Sequence, residues 1–270
     1  MNKKIVVRGG GDLATGTIYC LHQCGYQVLV LEIEKPTAIR RSVAFSEAMY
    51  DGETVVEGVR ARRIDHAGEA VRCWQEGVIP ILRDETADSV GIVEPFAFVD
   101  AAIAKKNLGT VIDMAPLVIG LGPGFTAGMD VDLVIETKRG HRLGRIIREG
   151  SAIANTGIPG IIGGYGKERV IHSSAAGIFT ASARIGDIVS RGDLIAHVGH
   201  TPVYASLDGV LRGILRDGLE VPEHFKIADI DPRLSERDNC FTISDKARAI
   251  AGGVLQAICM YEYGQEKGEV

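Results

Sequence analysis

The chain has 270 residues, 46% hydrophobic and 24% charged, with a formal net charge of −5. That composition can bury a core and excludes a disordered chain, and the length fits one large domain or two smaller ones. Basic runs are short (Arg62-Arg63, Lys105-Lys106) and no run of about 18 apolar residues occurs, so neither nucleic acid nor a membrane is expected as a partner. The N-terminus passes directly into an apolar run without a signal core, which predicts a cytoplasmic chain.

The first element predicted is a strand at Ile5–Val7. Gly9, Gly10 and Gly11 follow, then a helix carrying Leu13, Ile18 and Leu21 on one side, closed by Gly25. A second apolar run, Val28–Leu31, ends on Glu32. Gly9-x-Gly11-x-x-Ala14 fits the dinucleotide-binding fingerprint. Glu32 stands where the ribose-binding carboxylate of that fingerprint falls, about 20 residues further on. Gly9, Gly10, Gly11, Asp12, Leu13, Ala14 and Glu32 are therefore candidate cofactor-binding residues. Their backbone N–H groups and the helix dipole would hold a phosphate.

Cys20 and Cys24 share a face of this helix. They are either small buried residues or a metal or redox pair; an odd total of five cysteines argues for free thiols. After Pro36, Arg40 and Arg41 are either phosphate ligands, through their forked donors, or surface residues of a short helix.

A helix is expected over His66–Glu76, a strand over Val78–Leu82, a short helix over Ala87–Val93 and a strand over Phe96–Val99 ending at Asp100. Further apolar runs are Val111–Asp113 and Leu117–Ile119. The second leads into Gly120-Leu121-Gly122-Pro123-Gly124, a second glycine-rich loop without the Gly-Lys-Ser/Thr ending of a P-loop. Gly120, Gly122 and Gly124 join the candidate anion site. Val131–Thr137 and Leu143–Ile147 read as antiparallel strands. Asn155–Gly160 and Gly163-Gly164 read as a linker.

Beyond Val170 the pattern becomes short strands and turns, and it repeats at one constant offset. Gly177-Ile178-Phe179 recurs as Gly209-Val210-Leu211, Gly186–Val189 as Gly218–Val221, and Ile195 as Ile227. The stretch Ser174–Asp231 resembles the biotinyl/lipoyl carrier domain, a barrel-sandwich hybrid, most specifically at Gly186–Ile195. The position for a carrier lysine reads His200-Thr201-Pro202-Val203, and no lysine stands between Val198 and Arg212. Carrier chemistry is therefore not expected. Asp229-Ile230-Asp231-Pro232-Arg233 is either a local charge network or an interface. A last helix begins after Ser244, with Ala247, Ile250, Ala251, Val254, Leu255 and Ile258 on one face.

The expected fold is α/β. Residues 1–165 would form a Rossmann-like nucleotide- or cofactor-binding domain. Residues 166–235 would form a small all-β barrel-sandwich hybrid, and 236–270 a C-terminal helix packing back on the first domain.

The ordered motifs Val7–Gly16, Pro36–Arg41, Gly120–Phe125, Glu136–His141 and Asp229–Arg233 resemble the YqeB family, accessory proteins of the selenium-dependent molybdenum hydroxylase system. There is also a distant similarity to XdhC-type insertion factors. The resemblance implies a maturation factor that meets the apo-hydroxylase or other maturation proteins, and a small phosphate-bearing ligand. That ligand would be a dinucleotide such as NAD(P) or a molybdopterin-type cofactor. It supplies no catalytic residues, and no resident metal is expected. An NAD(P)-dependent oxidoreductase and a non-catalytic docking protein are the competing expectations.

Overall fold

The computed structural model describes residues 3–104, 106–155, 157 and 160–267. Lys105 and, from the expected linker, Thr156, Ile158 and Pro159 lie outside the described residues. The chain divides into two units that interleave in sequence. Unit 1 is Met1–Pro36, Phe45–Asn155 and Ile243–Val270; unit 2 is Thr37–Ala44 and Thr156–Thr242.

In unit 1 the strands are β1 (Lys4–Arg8), β2 (Gln27–Glu32), β3 (Glu53–Val56), β4 (Val59–Ile64), β5 (Ile79–Arg83) and β6 (Ala97–Asp100). They continue as β7 (Val118–Leu121), β8 (Thr126–Ala127), β9 (Leu133–Ile135), β10 (Ile146–Ile147) and β11 (Gly150–Ser151). Strands β8 and β11 pair with each other, and the others form a nine-stranded sheet of order β10-β9-β7-β6-β1-β2-β5-β4-β3. Its interior pairs are parallel, while β3 and β10 are antiparallel edges. The helices are α1 (Asp12–Gln23), α2 (Ala48–Asp51), α3 (Ala70–Gln75), α4 (Val90–Val93) and α5 (Asp245–Lys267).

This corrects the expected Rossmann-plus-barrel layout. The sheet is mixed, and of the helices only α1 and α5 are long. Two segments account for this. Thr54–Val59 folds as an edge hairpin across Glu57-Gly58, both at positive φ. The connection from β6 to β7 contains Asn107, Gly109 and Pro116 and forms turns with one 3-10 segment, Ile112–Met114, where a helix would be needed. The two late strands, β9 and β10, pair antiparallel with each other as expected, while β9 runs parallel to its other neighbour, β7.

One face of the sheet buries Val6, Leu31, Phe98, Val118 and Val134 with Cys73, Val90 and Val93. Helix α5 packs on α1 through small residues, where a Cβ at Gly16 would lie 2.8 Å from that of Ala247, and on the turn before β10, where a Cβ at Gly253 would collide with the Gly144 carbonyl. Gly253 thus permits a close approach, against a helix cost of about 1 kcal/mol per glycine, whereas a Cβ on Gly252 would meet open space.

Unit 2 contains β12 (Val170–His172), β13 (Gly177–Ala181), β14 (Ile188–Val189) and β15 (Leu194–Val198). Strands β16 (Thr201–Tyr204), β17 (Gly209–Ile214), β18 (Glu220–Val221) and β19 (Lys226–Asp231) follow. They form two four-stranded antiparallel sheets, β12-β19-β17-β14 and β16-β15-β13-β18. The offset that carries Gly177 onto Gly209 lays β12–β15 on β16–β19 and converts one sheet order into the other. Backbone bonds repeat as well. Ala183 N–H to Ile195 O (3.1 Å) matches Leu215 N–H to Ile227 O (2.9 Å). Leu211 N–H to Asp187 O matches Phe179 N–H to Leu219 O, both 2.8 Å, and Ala205 N–H to Asp193 O matches Ser173 N–H to Phe225 O, both 2.8 Å. The segment Thr37–Ala44 belongs to this unit, where Ile39 O accepts the Ile214 N–H at 2.9 Å. Asp229 and Asp231 are buried. Arg169 (2.8 Å) and Arg212 (3.6 Å) hold the first and Arg233 (2.8 Å) the second, so this stretch is a local charge network.

Candidate functional site

The carboxyl ends of the parallel strands in unit 1 line up in one register row: Leu82, Leu31, Arg8, Asp100, Gly120 and Val134. Loops leaving adjacent strands at one edge are where open α/β sheets build their ligand sites. The row places the Gly9–Gly11 turn, Glu32 and the Gly120–Gly124 loop along that edge. The two glycine loops leave strands two places apart, about 10 Å at the usual strand spacing.

Each glycine has a different neighbour. Gly9 has φ +91°, donates its N–H to Leu31 O at 2.7 Å, and a Cβ there would sit 3.0 Å from Ala102 Cα. Only glycine makes that turn cheaply. Gly10 donates to Glu32 Oε2 at 2.7 Å, and its carbonyl accepts from the Ser46 N–H at 2.9 Å and the Thr15 hydroxyl at 3.1 Å. A Cβ on Gly10 would be 3.0 Å from the Ser46 nitrogen, so the chain's own Phe45–Ser46 backbone fills that approach. Gly11 differs. It is the N-cap of α1 at φ −65° and ψ 179°, lacks a side-chain cap, and a Cβ there would meet open space. Asp12 and Leu13 form the first turn half-buried, and Ala14 is buried against the sheet.

Glu32 does not point outward as a free carboxylate. Its Oε2 accepts from Gly10 N–H and its Oε1 from Ile33 N–H at 2.8 Å. Burial pushes its pKa upward, against the lowering by those two bonds. The acid expected to grip a ribose instead ties the glycine turn to the end of β2.

The second loop is closed throughout. A Cβ on Gly120 would lie 2.5 Å from the Phe125 ring. Gly122, at φ +79°, would meet the Thr137 hydroxyl at 2.5 Å, and Gly124, at φ +115°, the Lys106 backbone at 3.0 Å. Arg40 and Arg41 belong to unit 2. Arg40 is buried and donates to Asn239 O (3.2 Å) and Thr242 O (3.1 Å); Arg41 Nε donates to Ile214 O at 2.8 Å. Both arginines therefore act on unit 2's backbone.

Three features of this edge escaped the sequence reading. Arg8, buried in β1, donates from one guanidinium nitrogen to Asp100 Oδ2 (3.4 Å) and the Thr110 hydroxyl (3.0 Å), and Thr110 donates to Asp100 at 2.5 Å. Only the acid at the end of β6 carried a sequence signal. Ile103, in the loop this network anchors, has φ 54°, a costly conformation for a β-branched residue. Glu136 is buried and accepts from Lys138 N–H (2.7 Å) and Ile153 N–H (2.9 Å).

Cys20 is half-buried, its pKa pushed up to about 11 by burial first and then by the adjacent Cys24. Its thiolate is scarce at neutral pH, which weighs against a nucleophilic relay there. Among the described residues, no group of three or more His, Cys, Asp or Glu is placed to hold a metal ion, and no helix is long and apolar enough to cross a membrane.

Among the described residues, the candidate glycine left open at this edge is Gly11, at the first turn of α1 beside Asp12. A pyrophosphate lying along Gly9-Gly10 does not fit, because Ser46 and Glu32 occupy that backbone.

No protein-family model matches the chain. It is 50% identical over 256 residues to the uncharacterized protein YqeB of Escherichia coli (strain K12), covering 95% of this chain and 47% of that protein. The chain belongs to the YqeB family and spans about half the length of this curated relative. An aspartoacylase family protein from Mesorhizobium loti aligns over 85% of both chains at 8% identity and a TM-score of 0.28. The ectoine utilization protein EutE from Ruegeria pomeroyi aligns over 85% of this chain and 86% of its own at 12% identity and 0.27. At such scores neither likeness carries an argument.

Proposed function

We propose that this protein is an accessory factor in the maturation of selenium-dependent molybdenum hydroxylases, and that it binds a ligand bearing a terminal phosphate at the first turn of α1. The observation that carries the ligand reading is Gly11: an N-cap without a side-chain cap, with open space where a Cβ would point. The first N–H groups of a helix lack intrahelical acceptors and lie at the positive end of its dipole. A molybdopterin-type cofactor, with one phosphate at its end, suits this single opening better than a dinucleotide. For NAD(P), Glu32 would have to leave two backbone N–H groups to reach a ribose, which removes support from the oxidoreductase reading. The pathway rests on the resemblance of the ordered motifs and on membership of the YqeB family.

The test is Gly11→Asp. Aspartate is a good N-cap and fits this φ,ψ, so the fold should hold while the added carboxylate repels an anion. Protein purified from its own host should carry a phosphate-bearing small molecule by native mass spectrometry, and the variant should lose it. Equal occupancy in both would refute the site. Deleting the gene should leave the hydroxylase polypeptide present and its activity low; full activity would refute the pathway.

A further inference from the structure

The two repeats of unit 2 have the same backbone and different ends. Ala183, Asp187 and Asp193 in the first repeat stand where the second has Leu215, Leu219 and Phe225, each pair related by the offset that relates the strands. The matched backbone hydrogen bonds described above hold both members of each pair. In the second repeat, Leu215 and Leu219 are buried and Phe225 half-buried, so that end is plugged by its own side chains. In the first, the shorter residues leave a cavity of about 490 Å³ whose lining includes Ala183, Asp187, Ile188, Asp193, Leu194 and Arg237.

Around its mouth the polarity is reversed. Ile188 is 59% exposed, Leu194 43%, and Tyr204, paired with Leu194 across β15 and β16, 53%. Ile188 and Leu194 have Glu220 and Lys226 as counterparts in the second repeat, and Tyr204, itself in the second repeat, has His172 in the first; all three counterparts are exposed. An apolar rim where the counterpart is charged marks an interaction surface more strongly than scattered exposed hydrophobics do.

The lining carries two carboxylates and one guanidinium. Asp187 accepts from the Arg184 N–H and Asp193 from the Ser190 N–H, both at 2.8 Å. Arg237 donates its Nε to Gly186 O at 2.9 Å. Among the described residues, neither carboxylate has a cationic side chain within salt-bridge distance.

We infer that this cavity docks a segment of a partner protein. The segment brings a bulky aliphatic or aromatic side chain into the space that Leu219 and Phe225 fill in the other repeat, with a lysine or arginine beside it for Asp187 and Asp193. The second repeat is the template for the apolar anchor, and the two acids set the charge of its neighbour. Apolar anchors in a pocket with a paired charge at the rim are the usual anatomy of a small interface. This surface is separate from the α1 ligand site, and its test does not depend on that site.

The test transplants one repeat onto the other. Ile188→Glu with Leu194→Lys installs residues that the same backbone already carries at Glu220 and Lys226, so folding should be unaffected; Ala183→Leu plugs the cavity. The probe is a short fluorescein-labelled peptide combining Leu and Phe with Lys, compared with versions carrying Glu for Lys or Ser for Leu and Phe. Wild type should bind the Leu/Phe/Lys peptide, and each peptide change or protein variant should weaken binding at least tenfold by anisotropy. No binding of that peptide up to millimolar protein, equal binding of all three peptides, or unchanged affinity in both variants with intact circular dichroism would overturn the inference. So would sedimentation showing that wild type dimerises through this face and the double variant does not, since the occupant would then be a second copy.

Discussion

The two glycine loops of unit 1 leave the same sheet edge and share a composition, yet they use it differently. Gly120, Gly122 and Gly124 are each pressed against Phe125, Thr137 or Lys106, so their missing side chains are filled by the protein itself. In the first loop Gly9 and Gly10 are filled the same way, by Ala101–Ala102 and Ser46, and only Gly11 is not. A glycine-rich sequence signals close backbone approach. Whether the approaching group is a ligand or another part of the chain depends on what packs there, and that depends on segments far away in sequence.

Cutting the row that both loops hang from should have the largest effect. Asp100→Asn leaves the buried Arg8 guanidinium without its counter-charge and should cost about 3–5 kcal/mol in urea unfolding. A loss under about 1 kcal/mol would mean that the loops are anchored independently. Next, Gly122→Ala combines a left-handed backbone with a collision at Thr137 and should cost about 2–4 kcal/mol. Gly11→Ala at the open position should cost far less, at most about 1 kcal/mol for the poorer N-cap. Equal losses at the two glycines would erase the distinction between the loops.

The smallest expected effect is a pH slope. Burial raises the pKa of Glu32 above its ordinary 4.5. The folded state therefore holds its proton more tightly than the unfolded state. The resulting stabilisation is complete below the unfolded pKa and is lost as pH rises through the folded one. Glu32→Gln should lower stability overall, since one amide oxygen cannot serve both Gly10 and Ile33 N–H. It should also flatten the decline in urea midpoint upward from about pH 4.5. An unchanged slope would show that Glu32 titrates as if exposed.

The local pattern from Lys3 to Glu32 was readable because every signal in it lies within one turn or one strand: the apolar runs marked β1 and β2, and α1 starts at Asp12, directly after the glycines. The constant offset from Gly177 to Gly209 was readable as a repeat, and the strands follow it. The mixed sheet was not, since the partner of each strand is a long-range choice. Thr54–Val59 carries the same residue types whether it forms an edge hairpin or an interior strand. Nor could the sequence reveal that Ser46 closes Gly10, that Glu32 turns inward, or that Thr37–Ala44, with Arg40 and Arg41, joins unit 2. Thr110 carried no signal because its role comes from standing beside Asp100 and Arg8.

Interleaving also has a consequence for synthesis. The ribosome delivers β1 and α1 before unit 2 is complete, but the helix that covers α1, from Asp245 to Lys267, only after it. The close surface around Gly16 must stay uncovered while all of unit 2 is translated. Unit 1 therefore cannot complete as an early folding intermediate. A stop anywhere before Asp245 yields a chain whose α1 has no α5 to pack against, a natural substrate for chaperones and proteases.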